Sequence, residues 1–190
     1  KSSAKVVTGN AEAISAENWQ GKSYSAANKV NIADYFEENT QYHYQYTDNY
    51  TGDDSVWSAE YDYTTKATDK FSVILTGDPQ VGASGSSSDK SANDASVARD
   101  AYNWNKTMQQ ELKTCPDASF LLSAGDQINQ SGAAKDDDKK TRESEYAGYL
   151  YPSVFRSLPI AATIGNHDMA GADYSAHFNN PNSEDKLGST

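Results

Sequence analysis

Three apolar runs in the second half of the chain end alike. "FSVILTG" (71–77), "ASFLLSAG" (118–125) and "PIAATIG" (159–165) are each of strand length, and each closes on glycine. The segments between them have a different period. "ANDASVARDAYNWNKTMQQELKT" (92–114) sets Ala95, Ala98, Tyr102, Met108 and Leu112 mostly at helical spacing, with Pro116 just past its end. "SEYAGYLYPSVFRSL" (144–158) is helical in type, broken or kinked at Pro152. The order β-α-β-α-β, with strands apolar on both faces, predicts a parallel sheet covered by helices. "GASGSSSDKS" (82–91) and "SGAAKDDDKKTRE" (131–143) read as flexible loops, the acidic run Asp136–Asp138 being a solvated stretch.

The residues just past each glycine carry the chemistry. The runs finish "GDPQ" (77–80), "GDQIN" (125–129) and "GNHD" (165–168). In parallel sheets the ligand site lies beyond the carboxyl ends of the strands, so residues there converge. The convergent set is Asp78, Gln80, Asp126, Asn166, His167 and Asp168. It supplies hard oxygen donors and one imidazole, which suit Zn²⁺, Mn²⁺, Fe or Mg²⁺. A single Gly-Asp also makes a good turn. Three such endings on consecutive strands favour a metal site over turn chemistry.

The first third of the chain reads as β. "TQYHYQY" (40–46) alternates with Thr40, Tyr42, Tyr44 and Tyr46 on one face, and "WSAEYDY" (57–63) with Trp57, Ala59, Tyr61 and Tyr63. The turn formers of "TDNYTGDD" between them predict a hairpin with a long loop. His43 falls on the face opposite the tyrosines and is expected to meet solvent. Val30 and Ile32 suggest one more short strand. Three strands are too few for a sandwich, so either residues 1–25 supply more or the chain begins part-way through a domain.

The formal charge of −11 over 190 residues, with no Lys/Arg cluster, argues against nucleic acid as the partner. It also makes an anionic substrate awkward unless a local positive group, such as a metal, receives it. No stretch approaches the length of a membrane span and no basic-then-apolar leader opens the chain, so any export signal is expected to be removed or never present. Cys115 is the only cysteine, which excludes an intrachain disulfide and a cysteine-based zinc site.

On the three motifs, the chain resembles the calcineurin-like metallophosphoesterases, "GNHD" being the most specific match. The region before Phe71 is similar to the β-sandwich that precedes the catalytic domain in purple acid phosphatases and their bacterial relatives. "HFNNPN" (177–182) resembles the segment after the third motif there. The resemblance implies a partial fibronectin-III-like sandwich over 1–68 and the N-terminal part of a phosphoesterase domain over 69–190. It implies two metal ions (Zn, Mn or Fe), with Asp78 on the first, Asp126 bridging both and Asn166 on the second. A metal-bound hydroxide would then hydrolyse a small-molecule phosphoester, with His167 stabilising charge or protonating the leaving group. An extracellular or cell-envelope location goes with the resemblance and with a tyrosine-rich surface.

The chain also departs from the family pattern. Gln80 stands where many members have a metal-binding His, and is at best a weak, neutral ligand. Asn129 stands where purple acid phosphatases have the colour-giving tyrosine, so a purple protein is not expected. Asp168 is a candidate to orient His167 as a catalytic partner, or to brace it. The later His and Gly-His-x-His ligands are absent, and His177 comes too soon after His167 to replace them. They would come from the remainder of the polypeptide or from a second chain. The competing reading is a non-catalytic surface-binding module on a degenerate phosphoesterase scaffold. A Rossmann-type nucleotide binder fails because no Gly-x-Gly-x-x-Gly comes after the first apolar run.

Overall fold

The computed structural model describes residues 4–85 and 90–180. The expected 82–91 loop and the 177–182 segment lie partly outside the described residues. The N-terminal third holds two hairpins. Strands β1 (Asn10–Glu17) and β2 (Ser23–Lys29) pair antiparallel. Their turn is fixed by Asn18, whose side-chain oxygen accepts the N–H of Gln20 (3.0 Å) and of Lys22 (2.9 Å). No strand forms at Val30 and Ile32, which are 43% and 40% exposed. Lys29 is opposite Asn10, the first residue of β1, and the ladder ends there, before Val30 and Ile32.

Strands β3 (Gln41–Tyr44) and β4 (Tyr61–Thr64) form the tyrosine hairpin, with Tyr42 opposite Tyr63 and Tyr44 opposite Tyr61. Phe36 packs on this row, 4.7 Å from Tyr42 and 5.4 Å from Tyr63 between ring centroids. His43 lies on the other face, exposed, with Nδ1 2.6 Å from the Asp62 carboxylate. Both strands are shorter than their alternation implies. At Tyr46 the N–H bonds the Ser58 hydroxyl (3.1 Å) instead of a strand carbonyl. The two hairpins are separate two-stranded sheets, and no sandwich joins them among the described residues.

Strands β5 (Ser72–Thr76), β6 (Ala118–Ser123) and β7 (Ile160–Ala162) form a parallel sheet in that order, as the β-α-β-α-β pattern requires. Helix α1 (Lys90–Thr114) lies between β5 and β6 in the chain, α2 (Asp136–Tyr149) between β6 and β7, and the short α3 (Asp173–His177) comes after β7. Taken whole, this is a mixed α/β chain with a parallel core and small antiparallel sheets.

Helix α1 is not phased as its alanines suggest. Ala95 and Ala98 are exposed and Tyr102 is 60% exposed. The buried stripe is Val97, Ala101, Trp104 and Met108, because the large side chains set the phase and alanine tolerates either side. Trp104 stacks on Tyr149 of α2 at 5.6 Å, and its Nε1–H donates to the Tyr149 carbonyl (2.9 Å). Ile74 and Leu121, in register, point into this core. The opposite face is not covered by helices as expected, since Leu75 is 68% exposed and Ala161, across Leu122 from it, is exposed too.

Helix α2 begins inside the stretch read as a loop and stops before Pro152. Asp136, Asp137 and Asp138 occupy its first turn, where carboxylates meet the positive end of the helix dipole. The Lys135 N–H donates to Asp138 (3.2 Å), satisfying one free backbone donor. The acidic run is therefore a helix start. The helix is polar yet buried from Arg142 to Tyr146, and β1 lies against it.

Candidate active site at the strand ends

Beyond β5 and β6 the backbone parts and then meets again. Thr76 pairs with Ser123 at the end of the ladder, and Val81 pairs with Ile128 in an isolated parallel bridge. Residues 77–80 and 124–127 form matched excursions between these points. The bridge is rooted in the core, with Val81 1% and Ile128 0% exposed. Such an excursion needs sharp reversals, and Asp78 (φ 57°), Gln80 (φ 38°) and Asp126 (φ 50°) all take left-handed backbone. For a non-glycine residue that conformation costs about 1–2 kcal/mol. Only one other described non-glycine residue, Asn39, adopts positive φ.

The three loops are stitched together at close range. Asp78 N–H donates to the Gly125 carbonyl (3.3 Å) and Gln80 N–H to the Asp126 carbonyl (3.0 Å). The second and third loops touch backbone to backbone. A Cβ at Gly125, itself at φ 87°, would lie 2.9 Å from the Gly165 Cα. His167 N–H donates to Asp126 Oδ1 (2.9 Å), leaving the other carboxylate oxygen outside that bond. The sequence-derived residues Asp78, Gln80, Asp126, Asn166 and His167 thus lie on three contacting loops. Asp78 and Asn166 are exposed, and Gln80, Asp126 and His167 half-buried.

The His167 ring is fixed by the main chain. Its Nδ1 bonds the carbonyl of Asn129, so Asn129 orients the histidine through its backbone. With Nδ1–H donating there, Nε2 is the ring nitrogen left to other partners. Asp168, read as either orienting His167 or bracing it, is fully buried. Its carboxylate accepts the N–H groups of Gly165 (3.0 Å) and Gln127 (3.4 Å) and the Tyr146 hydroxyl (2.9 Å). It braces the loops instead of bonding the His167 ring. Burial pushes its carboxyl above the usual carboxylate range, against the pull of these hydrogen bonds. Burial, with Asp168 alongside, also raises the Tyr146 phenol above its ordinary range.

Three residues of α2 hold this arrangement and were missed in the sequence. Arg142 is fully buried, and its guanidinium donates to Asp173 (2.5 Å) and to the carbonyls of Gln130, His167 and Asp168 (2.7 Å each). Glu145, also fully buried, accepts the N–H groups of Asn129 (3.0 Å) and Gln130 (2.7 Å) on Oε2. Burial pushes its carboxyl up to about 8. Tyr146 supplies the hydroxyl to Asp168. Their spacing of i, i+3 and i+4 puts them on one helix face, a signal hidden when 131–143 is read as a loop. His177 is engaged elsewhere, with Nε2 2.8 Å from Glu143 and its ring tilted against that of Tyr146, centroids 4.7 Å apart.

The donor set fits a hard cation in type, with two carboxylates and two amide oxygens on adjoining loops. Among the described residues no group of three or more His, Cys, Asp or Glu is placed to hold a metal ion. Taken together, this is an α/β chain with a cluster of acid-bearing loops at the carboxyl ends of a parallel sheet. No family model matches the chain, and no curated protein matches it. Among solved structures it is similar to a purple acid phosphatase isolated from yellow lupin (Lupinus luteus) seeds, at 19% identity and a TM-score of 0.46. The match covers 76% of this chain and 27% of that one, so the chain spans about a quarter of its length. No helix among the described residues is long and apolar enough to cross a membrane.

Proposed function

We propose that this chain carries part of a metal-dependent phosphoesterase site, acting on a small-molecule phosphoester. The observation that carries the reading is the backbone of the first two loops. Left-handed φ at Asp78, Gln80 and Asp126 is a local cost, and such strain concentrates at sites of function. Asp78 and Asp126 are the principal residues that would hold metal, with Asn166 and Gln80 contributing amide oxygens. Further ligands come from the remainder of the polypeptide or from a second chain, and affinity for metal without them is poor. A pair of cations bound there would neutralise phosphoester charge and acidify a water molecule.

The chain's own groups have separable tasks. His167 presents Nε2 toward a phosphoryl oxygen or leaving group, because Nδ1–H is committed to Asn129; it gives a proton from Nε2 as the imidazolium, and the neutral ring accepts one there. Asp168 and Arg142 are positioning residues that fix the loop bearing Asn166 and His167. We divide the chain at 68/69, with the two hairpins as the partial β domain and the parallel sheet as the phosphoesterase part. The acidic surface is suited to an extracellular or cell-envelope setting.

The test is aryl-phosphate hydrolysis by the full-length parent protein with Mn²⁺ or Zn²⁺, beside its Asp126→Ala variant, with metal content measured on both. The expected result is loss of both metal and turnover in the variant. Equal turnover would remove Asp126 from the mechanism, and no hydrolysis by the parent would favour the non-catalytic module.

A further inference from the structure

The peptide unit between Asn129 and Gln130 is held from both ends. Its carbonyl accepts His167 Nδ1–H, and its N–H, that of Gln130, donates to Glu145 Oε2 (2.7 Å). The same carboxylate oxygen takes the N–H of the preceding peptide, from Asn129 (3.0 Å). A carboxyl, a peptide unit and an imidazole therefore stand in one hydrogen-bonded line. Hydrogen bonds in series polarise one another, most strongly where water is excluded.

Glu145 is itself fixed. It is 0% exposed, and its head fills the space that a side chain at residue 82 would need. Its Oε1 is buried with no hydrogen-bond partner, so the alignment rests on Oε2 alone. The first loop is clamped in the same manner from α1, where Asp100 accepts the N–H groups of Gly82 (2.9 Å) and Ser84 (3.1 Å). Glu145 differs from Asp100 in one respect: the peptide it holds carries the contact to His167.

We propose that Glu145 is the acidic positioning partner of His167, acting through the Asn129–Gln130 peptide to fix the Nδ1–H tautomer and the direction of Nε2. A carboxylate commonly orients a catalytic histidine by direct contact. Asp168, the acid nearest in sequence, is turned to backbone N–H groups instead. Glu145 supplies the missing acid one peptide unit away. The assignment deepens the phosphoesterase reading, because it rests on His167 facing substrate.

The test needs neither metal nor substrate. The chain has three histidines, so the imidazole ¹⁵N signals of His167 can be assigned with His43→Gln and His177→Gln. At a fixed pH where the ring is neutral, the unmodified chain is expected to show the Nδ1–H tautomer in at least tenfold excess. Glu145→Ala should bring the two tautomers within about threefold of each other, a ΔΔG of about 0.7 kcal/mol or more. Glu145→Gln, which keeps an acceptor in place, should restore the excess. A locked Nδ1–H tautomer in Glu145→Ala would overturn the proposal. Should that variant fail to fold, scalar couplings across the hydrogen bonds of the unmodified chain decide. Both the Gln130 N–Glu145 and the His167 Nδ1–Asn129 couplings are expected, and absence of either overturns it. In the parent protein, Glu145→Ala should lower kcat about tenfold with KM little changed. An inactive parent with the tautomer result intact would refute the phosphoesterase reading and leave the relay standing.

Discussion

Replacing Arg142 with methionine tests the claim that one side chain of α2 secures two of the three site loops. The guanidinium is fully buried and makes four hydrogen bonds of 2.5–2.7 Å, to Asp173 and to the carbonyls of Gln130, His167 and Asp168. Methionine fills much of the volume and satisfies none of the acceptors. The Asp173 side chain is 12% exposed, so its charge stays in the interior without a partner. Removing one member of a buried ion pair costs about 3–5 kcal/mol. Each carbonyl stripped of its donor adds about 1–3 kcal/mol unless water replaces it. A domain's whole stability is roughly 5–15 kcal/mol. Arg142→Met should therefore lose at least ~4 kcal/mol and sit at the edge of folding.

Urea unfolding followed by tryptophan fluorescence reads this directly, since Trp104 stacks in the core against Tyr149 of the same helix. The informative comparison is the double variant Arg142→Met/Asp173→Asn, which removes the stranded charge as well. It should recover about 2 kcal/mol relative to the single variant, the coupling expected of residues in direct contact. Arg142→Lys should fall between, because one ammonium cannot span all four acceptors. A change under about 1 kcal/mol in Arg142→Met, or no recovery in the double variant, would refute the reasoning.

Glu145 should make stability fall as pH rises. Its folded pKa of about 8 lies above the ordinary 4.5, so the folded state holds a proton that the unfolded chain has released. The contribution is fully present below pH 4.5 and is lost on the way to about 8, amounting to about 5 kcal/mol at roughly 1.36 kcal/mol per pH unit. Arg142 opposes the shift and Asp100 adds to it. In Glu145→Gln this slope should vanish from unfolding curves taken between pH 5 and 9, and parallel curves for the two proteins would contradict the assignment. Gly82→Ala should destabilise by about 2 kcal/mol, since φ is +106° there and the added Cβ would meet the Glu145 head; a neutral melting temperature would refute it. Asp78→Gly should instead stabilise by about 0.5–1 kcal/mol by relieving left-handed backbone, while weakening Mn²⁺ binding by titration calorimetry. A destabilised variant would show that Asp78 carries no strain.

That the candidate residues gather on adjoining loops was legible in the sequence, because strand exits arise from local pattern. A buried parallel strand is a short apolar run, its exit needs a turn, and the polar residues after three such exits face one site by topology alone. The tyrosine row of the β3–β4 hairpin was readable for a similar reason, since period two is a property of the strand itself. The braces are of another kind. Arg142, Glu143, Ser144 and Glu145 form a polar run that composition assigns to solvent, and they are buried only because other segments supply their partners. Asp94, Asp173, His177, Asn129 and Gln130 are among those partners, and nothing in the spacing of 131–143 announces them. The same limit explains β1, whose "NAEAISAE" has little apolar alternation and exists as a strand because β2 pairs with it.

This division has a physical basis in what each set must do. A ligand-bearing loop has to expose side chains, and it leaves its backbone N–H and C=O groups without ladder partners where it quits the sheet. Those groups still need partners, and here they are met by Asp100 from α1, Glu145 and Arg142 from α2, and Asp168 within the third loop. Each acceptor or donor is a charged or ionisable side chain, with Arg142, Glu145 and Asp168 withdrawn from solvent and Asp100 half-buried. The cost of burying them is offset only when all their bonds form together. The site loops and α2 should therefore gain order as one unit, so that loosening Arg142, which meets only the His167 carbonyl, or Glu145, one peptide unit away, reaches the His167 ring. The residues that set this site's geometry are those farthest from looking functional in the sequence.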